Sequence, residues 1–111
     1  KLALFYLCLK TYPLIFDIHF DVTLKKFKVG SPMDAYDVQM QIDEIASSDE
    51  DVANWSDSTL KKINVQYRRA LKEVGLLNGE RILHPTYAGS QFWRYFEEHQ
   101  EAWFLKACFK N

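Results

Sequence analysis

The stretch from Thr59 to Val74 constrains the fold most, because it has the regular pattern of one long amphipathic helix. Ser56-Asp57-Ser58 precedes it with capping side chains, and Gly75 follows it, where a glycine favours a helix end. On a helical projection the apolar side chains of this stretch fill an arc of roughly 100°. A helix with such a face must bury it, so the chain needs a core built from further elements. The apolar residues are Leu60, Ile63, Tyr67, Ala70, Leu71 and Val74.

The opposite face of this predicted helix is positively charged. Five basic side chains fall within an arc of roughly 120°, namely Lys61, Lys62, Arg68, Arg69 and Lys72. Surface helices normally mix charges, since like charges in neighbouring turns repel each other. Phosphate binding explains such a face. The alternative is that acids from residues 43–57 fold across and pair with these side chains.

A tight hairpin follows the predicted helix. Asn78-Gly79 between apolar flanks is a strong hairpin signal, because both central residues of such a turn must reach positive φ. Pro85 then ends the second arm. A basic helix followed by a small hairpin has the layout of a winged helix, in which the helix enters the major groove and the hairpin contacts the adjacent backbone. Arg81 would lie on this wing.

The segments before the amphipathic helix also indicate helices. The apolar residues 2–10 predict a core helix, and Pro13 suits the first turn of the next one. Residues 14–29 fit both a helix and an alternating strand; their length and the lysines before Gly30 favour a helix. Ser31-Pro32 predicts a helix from there to about Ala46, with Met33, Tyr36, Met40 and Ile42 or Ile45 buried.

Residues 47–51 predict a short helix that ends near Trp55, and residues 87–99 and 102–109 predict the last two helices. We therefore predict an all-α fold with a small β-hairpin, a compact helical bundle with a winged-helix-like helix–hairpin unit. Residues 1–55 are expected to form the bundle region and residues 56–111 the winged-helix-like region of one compact unit.

The charges are strongly segregated along the chain. Residues 1–30 carry five lysines against two acids, residues 31–58 carry eight acids and no lysine or arginine, and residues 59–111 carry nine basic residues against five acids. The formal net charge of −1 hides this division. Segregation on this scale indicates two surfaces that face different partners.

Few residues suggest catalysis or metal binding. Asp17, His19 and Asp21 would share one face of a strand and could hold a cation there, but on a helix His19 lies away from both acids. We therefore expect a half-buried histidine and no metal site. His84 and His99 have no Cys or Asp partner at ligand spacing. Neither a nucleophile motif nor a phosphate loop is present, and we expect no enzyme and no cofactor.

The remaining composition indicates a cytoplasmic protein. Cys8 and Cys108 lie among apolar neighbours, which predicts two reduced, buried thiols. The longest uncharged apolar run covers residues 2–9, well short of the ~20 residues of a membrane-spanning helix. The aromatic residues near the C-terminus, Trp93, Tyr95, Phe96, Trp103 and Phe104, are interpreted as core. Because the chain enters an apolar run directly after Lys1, we expect a fragment of a longer protein.

Several short motifs carry a family resemblance. They are Leu-Ala-Leu and Lys-Thr-Tyr-Pro-Leu within residues 2–14, Ser-Asp-Ser-Thr-Leu-Lys-Lys at 56–62, Ala-Leu-Lys-Glu-Val-Gly-Leu-Leu at 70–77 and Ile-Leu-His-Pro at 82–85. Through them the chain resembles the BrxA proteins of the BREX phage-exclusion systems of bacteria. The resemblance covers most of the chain and implies a small helical protein that binds double-stranded DNA, with no known catalytic activity. Family members are longer at the N-terminus.

The sequence thus predicts a non-enzymatic protein of bacterial phage defence that binds double-stranded DNA mainly through phosphates. We expect no membrane and no small-molecule substrate as partners, while other BREX proteins are further candidate partners by resemblance. A protein–protein scaffold that uses its acidic and basic faces is the alternative. The expected DNA contacts are Lys61, Lys62, Arg68, Arg69, Lys72 and, on the hairpin, Arg81.

Overall fold

Seven helices and one short hairpin make up the part of the chain that the computed structural model describes, residues 2–84 and 89–109. The predicted all-α fold with a small β-hairpin is confirmed. In chain order the elements are α1 (Leu2–Thr11), α2 (Pro13–Lys28), α3 (Ala35–Ser48), α4 (Glu50–Ala53), α5 (Asp57–Glu73), β1 (Leu77–Asn78), β2 (Arg81–Ile82), α6 (Ser90–Glu98) and α7 (Trp103–Ala107).

The helix α2 confirms the helical interpretation of residues 14–29. Tyr12 is extended, with φ −112° and ψ 101°, and Pro13 begins the helix in its first turn, where its missing N–H breaks no hydrogen bond. Residues His19–Thr23 widen into a π-helical segment inside α2. The helix ends at Lys28, and Gly30 follows two residues later with a φ of 73°, a conformation that glycine adopts without a steric penalty.

The start of α3 differs from the prediction. Ser31 does not cap it; the cap is Asp34, whose side chain accepts a hydrogen bond from the Asp37 N–H at 2.9 Å. The Asp37 carboxylate in turn accepts from the Asp34 N–H at 3.0 Å, which completes a capping box. This local pair of carboxylates satisfies two backbone donors at once. The capping box therefore determines where the helix starts, and the Ser31-Pro32 signal does not.

The buried face of α3 was also partly mispredicted. Val38 and Ile42 are its fully buried residues, whereas Tyr36 and Met40 are exposed and Ile45 is half-buried. Met33 is buried as expected, but it lies before the helix. Because Met33 lies outside the helix, its burial does not place Tyr36 and Met40 on the buried face of α3. The helix ends at Ser48, and α4 follows from its own cap, Asp49, to Ala53, two residues before the predicted end.

The last two helices lie close to their predicted positions. The predicted helix 87–99 is observed as α6, Ser90–Glu98, and the predicted helix 102–109 as α7, Trp103–Ala107. Pro85 and Tyr87, the predicted strand end and helix start, lie outside the described residues.

One hydrophobic core joins α1, α2, α3, α5, the hairpin, α6 and α7. Phe104 lies fully buried in it, with ring centroids 6.3 Å from Phe5 and 4.8 Å from Phe96. Trp93 is buried too, so the C-terminal aromatic residues are largely core as predicted, although Tyr95 is exposed. The division of the chain at residue 55 stays a prediction.

The first helix buries only one of its faces. Phe5 and Leu9 are in the core, but Leu4 and Leu7 are exposed, so the prediction of a core helix is wrong for its outer face. Cys8 is exposed as well, contrary to the prediction of two buried thiols, while Cys108 is buried. Within the described residues no single helix is both long and apolar enough to cross a membrane; α1 and α2 together meet those criteria but are bent by 106°.

Candidate nucleic-acid interface

The helix α5 is held at both ends by short-range hydrogen bonds. At its start the Thr59 N–H donates to the Ser56 side chain at 3.2 Å, as the sequence predicts. At its end the Leu76 N–H donates to the Leu71 carbonyl at 2.9 Å and the Gly75 N–H to the Lys72 carbonyl at 3.2 Å. This pair of bonds is a Schellman motif, and it requires the positive φ of 81° at Gly75.

Tyr67 fastens the buried side of α5 to α2 and α7. Its hydroxyl lies 2.6 Å from Nδ1 of His19 and 2.7 Å from the hydroxyl of Thr23, the first and last residues of the π-helical segment. The other ring nitrogen of His19, Nε2, lies 2.5 Å from the Ala107 carbonyl oxygen. Because a carbonyl only accepts, Nε2 carries the proton and Nδ1 accepts from Tyr67. The orientation of α5 is thus fixed by a chain of buried polar contacts.

These groups are neutral in the folded protein. Burial lowers the pKa of His19 to about 4, against an ordinary value of 6.5. Burial also raises the pKa of Tyr67 well above its usual range. A charged imidazolium could not accept the Tyr67 hydrogen bond, so the neutral state and the geometry support each other.

The Asp17, His19, Asp21 string does not converge on a site. His19 is fully buried, where the sequence predicted a half-buried side chain, while Asp17 and Asp21 are exposed. Burial and the neighbouring Asp21 carboxylate raise the pKa of Asp17. In residues 2–84 and 89–109 no three His, Cys, Asp or Glu side chains come together as a cation would need.

The outward face of α5 carries four exposed cations, which are Lys61, Lys62, Arg69 and Lys72. The ion pairs found among the described residues join Lys10 with Glu101 at 2.8 Å and Lys26 with Asp37 at 3.3 Å. Neither pair includes a residue of α5. The alternative in which acids of residues 43–57 neutralise this face is therefore not seen in the described chain.

Arg68 differs from its four basic neighbours. It is half-buried at the edge of the face, and its Nε–H donates to Oδ1 of Asn64 at 2.8 Å. Asn64 is itself buried and donates to the Ala35 carbonyl and to Oε1 of Gln39, both at 3.0 Å. Arg68 therefore helps to attach α5 to α3. Asn64 was not among the residues predicted from the sequence, although a polar residue beside the apolar arc of the helical projection was the available signal.

The hairpin forms directly after α5, but its turn is shifted by one residue. Leu77 pairs with Ile82 and Asn78 with Arg81, so the central residues of the turn are Gly79 and Glu80, and Asn78 is the last residue of β1. Gly79 has a φ of 64°. A glycine at positive φ in the first central position is the requirement of a type II′ turn, and not of the Asn-Gly turn that the sequence predicted.

Both arms of the hairpin are fixed to the body of the protein. Leu77 and Ile82 are buried, and the Leu83 N–H donates to the Leu76 carbonyl at 2.9 Å. At the tip, the Met33 N–H donates to the Glu80 carbonyl at 2.8 Å, which ties the hairpin to the loop before α3. Arg81 remains exposed on β2. The hairpin therefore presents its one arginine to solvent from a fixed position next to the C-terminal end of α5.

Comparison with protein families gives one decisive match. A model of the BrxA family matches residues 1–100 of the 111-residue chain.

The chain belongs to the BrxA family. The match covers α1 to α6 and therefore includes the basic helix and the hairpin. Membership of the BrxA family implies a role in BREX phage defence and suggests association with other BREX components. Comparisons with curated proteins and with solved structures give no match.

Proposed function

We propose that this BrxA family protein binds duplex DNA as a non-enzymatic component of the BREX system in the cytoplasm. The outward face of α5 carries the proposal, because four exposed cations lie there with no acidic partner among the described residues. Lysine and arginine side chains on such a face release counterions when they contact phosphates, which favours binding. The proposal assigns no contact to a base edge, because phosphate contacts alone account for the positive charges on this face.

The hairpin extends the proposed interface beyond α5. Arg81 lies exposed on a hairpin that Leu77, Ile82 and the Met33–Glu80 hydrogen bond hold against the protein. A fixed cation beside a basic helix suits a wing that contacts the backbone next to the groove. We assign Lys61, Lys62, Arg69, Lys72 and Arg81 to phosphate contacts. Arg68 lies at the edge of the face. It contributes less to phosphate binding, because its Nε–H already donates to Asn64.

The second candidate function is a scaffold that holds other BREX proteins. The eight acids of residues 31–58 favour it, because they form a region opposite in charge to α5. Several of these acids have local tasks: Asp34 and Asp49 cap helices, and Asp37 pairs with Lys26. Scaffolding predicts protein binding without DNA binding, so one experiment separates the two functions.

The test is fluorescence anisotropy with a labelled duplex of random sequence, titrated at ~50 and ~200 mM salt, a range in which phosphate contacts lose orders of magnitude in affinity. The variant Lys61→Glu, Arg69→Glu, Lys72→Glu is expected to abolish binding. The matched control is Lys25→Glu, Lys28→Glu, Lys106→Glu, which changes the net charge equally at exposed positions outside α5. Thermal melts verify that both variants fold.

DNA binding by α5 requires steep salt dependence, loss in the α5 variant and retention in the control. Equal loss in both variants would show a general charge effect and would contradict the assignment of α5. A folded wild-type chain that does not bind at ~50 mM salt would leave the scaffold function in its place.

A further inference from the structure

An apolar groove runs between α5 and the junction of α1 and α2. It consists of two adjoining cavities of about 400 and 340 Å³ that share Tyr12, Ile15, Thr59 and Ile63. Trp55 lines one of them. Of the described residues that line either cavity, Lys62 alone carries a charge. The groove thus has an apolar floor and a positively charged rim on the side of α5.

The wall of the groove continues into the exposed apolar face of α1. Cys8 lines the second cavity. Leu4, one turn before Cys8, is 67% exposed, and Leu7, beside Cys8 in the chain, is 52% exposed. Tyr12 and Trp55 at the groove itself are 57% and 42% exposed. A cluster of large exposed apolar side chains around one groove indicates a surface that another molecule covers.

The chain contains an element that suits this groove. On the outward side of α3, Tyr36 and Met40 are exposed at i and i+4 and form an apolar ridge, which Asp43 and Glu44 extend as acids in the next turn. The apolar side chains and the adjoining acids of this α3 ridge are complementary to an apolar groove beside Lys62. It also lies in residues 31–58, which carry no lysine or arginine.

The groove and the α3 ridge lie on different sides of the same molecule. Asn64 contacts α3 through the Ala35 carbonyl, whereas Gln66 lines the groove. Two residues apart on a helix, these side chains point about 160° away from each other. Since α3 is packed on the far flank of α5, it cannot fill the groove of its own chain. A contact between them must join two molecules.

We propose that a second copy of this chain covers the groove, inserting its α3 ridge with Tyr36 and Met40 on the apolar floor and its acids toward Lys62. The contact is heterologous, so each copy keeps one free groove and one free ridge, and copies add head to tail. The charged part of the contact is exposed at the rim and therefore weakens with salt. The proposal does not rest on DNA binding.

The experiment is analytical ultracentrifugation of the chain from ~5 to ~200 µM, which brackets weak self-association, at ~50 and ~500 mM salt. The groove variant is Tyr12→Glu, Trp55→Glu, and the ridge variant is Tyr36→Glu, Met40→Glu. All four side chains are exposed, and thermal melts verify that the variants fold. The matched control is Gln91→Glu, Tyr95→Glu, which adds the same charge at exposed positions of α6, away from the groove.

Wild type and control are expected to gain mass with concentration, less so at high salt, and each variant alone is expected to stay monomeric. An equimolar mixture of the two variants should form a species of twice the monomer mass and nothing larger, because the intact ridge of one enters the intact groove of the other. A wild-type chain that stays monomeric over this range would overturn the proposal and indicate that a different molecule covers the groove. Self-association that survives in the ridge variant, or a mixture without the dimer, would overturn it equally.

Discussion

The Nε–H of Arg68 donates to Oδ1 of Asn64 at 2.8 Å, and this bond divides the basic face of α5 into two kinds of cation. The side-chain amide of Asn64 donates to the Ala35 carbonyl and to Oε1 of Gln39, and its oxygen accepts from Arg68. The other four cations, Lys61, Lys62, Arg69 and Lys72, are exposed. A pattern of five equivalent cations in the sequence becomes four that are free to bind phosphate and one that also secures α3.

Arg68→Ala is expected to lower the free energy of unfolding by about 1–2 kcal/mol, because it leaves the buried Asn64 oxygen without its donor. Lys72→Ala, at an exposed position of the same helix, should change stability by less than ~0.5 kcal/mol. Urea denaturation of both variants provides the measurement. In an Asn64→Ala background the Arg68 substitution should cost little, and a full cost there would show that the bond is not the cause.

The same division predicts different effects on DNA binding. Replacing Lys61 or Lys72 by Ala removes one phosphate contact, which should reduce the slope of log K against log salt by ~0.9. Arg68→Ala should reduce the slope by less, since its guanidinium is partly engaged. Anisotropy titrations at several salt concentrations give these slopes. An Arg68 slope that falls as much as that of Lys61 would place Arg68 among the full phosphate contacts.

Local signals in the sequence predicted much of the fold. The Ser56 cap, Gly75 and Pro13 act through their own backbone or a hydrogen bond within three residues. The start of α2 and both ends of α5 were therefore predicted to within two residues: α5 spans Asp57–Glu73, and the prediction was Thr59 to Val74. At Ser31 two such signals competed, and the reciprocal Asp34–Asp37 box prevailed. The start at Asp34 leaves Met33 outside α3, so the helical spacing from Met33 to Tyr36 and Met40 does not apply, and these two residues were assigned to the wrong face.

The errors inside the site have a different origin. The burial of His19 depends on Tyr67 and Ala107, which are 48 and 88 residues away along the chain. The exposure of Cys8 depends on which side of α1 meets the other helices. No spacing within one segment records such contacts, so composition led to a half-buried histidine and a buried thiol. The basic face itself was predictable, because helical periodicity alone places its residues together.

Gly75→Ala is expected to destabilise the protein by about 1–2 kcal/mol, the penalty of a left-handed conformation for a residue with a side chain. Gly75 has a φ of 81° and joins α5 to the hairpin, where its N–H donates to the Lys72 carbonyl and the Leu76 N–H donates to the Leu71 carbonyl. Thermal or chemical denaturation measures the loss. Glu73→Ala serves as the control, because Glu73 is an exposed residue in the last turn of α5, where the backbone is helical and alanine is well tolerated. Equal effects at both positions would contradict the role of positive φ.

The buried His19 predicts a loss of stability on mild acidification. The unfolded chain binds a proton at the ordinary pKa of 6.5, whereas burial lowers the pKa of His19 in the fold to about 4. Between these values the unfolded state carries more protons, so stability falls as the pH falls. The linkage amounts to about 2 kcal/mol between ~pH 7 and ~pH 5. Urea denaturation at a series of pH values measures it.

His19→Gln is the matched variant, because glutamine offers one donor toward the Ala107 carbonyl and one acceptor toward the Tyr67 hydroxyl without titrating. Its stability should vary much less across this pH window. Asp37 and Glu101, whose folded pKa values are lowered by hydrogen bonds, lose their contribution at lower pH and affect both proteins alike. If the variant retains the full pH dependence of the wild type between ~pH 7 and ~pH 5, a group other than His19 is responsible. That result would contradict the lowered pKa of the buried His19.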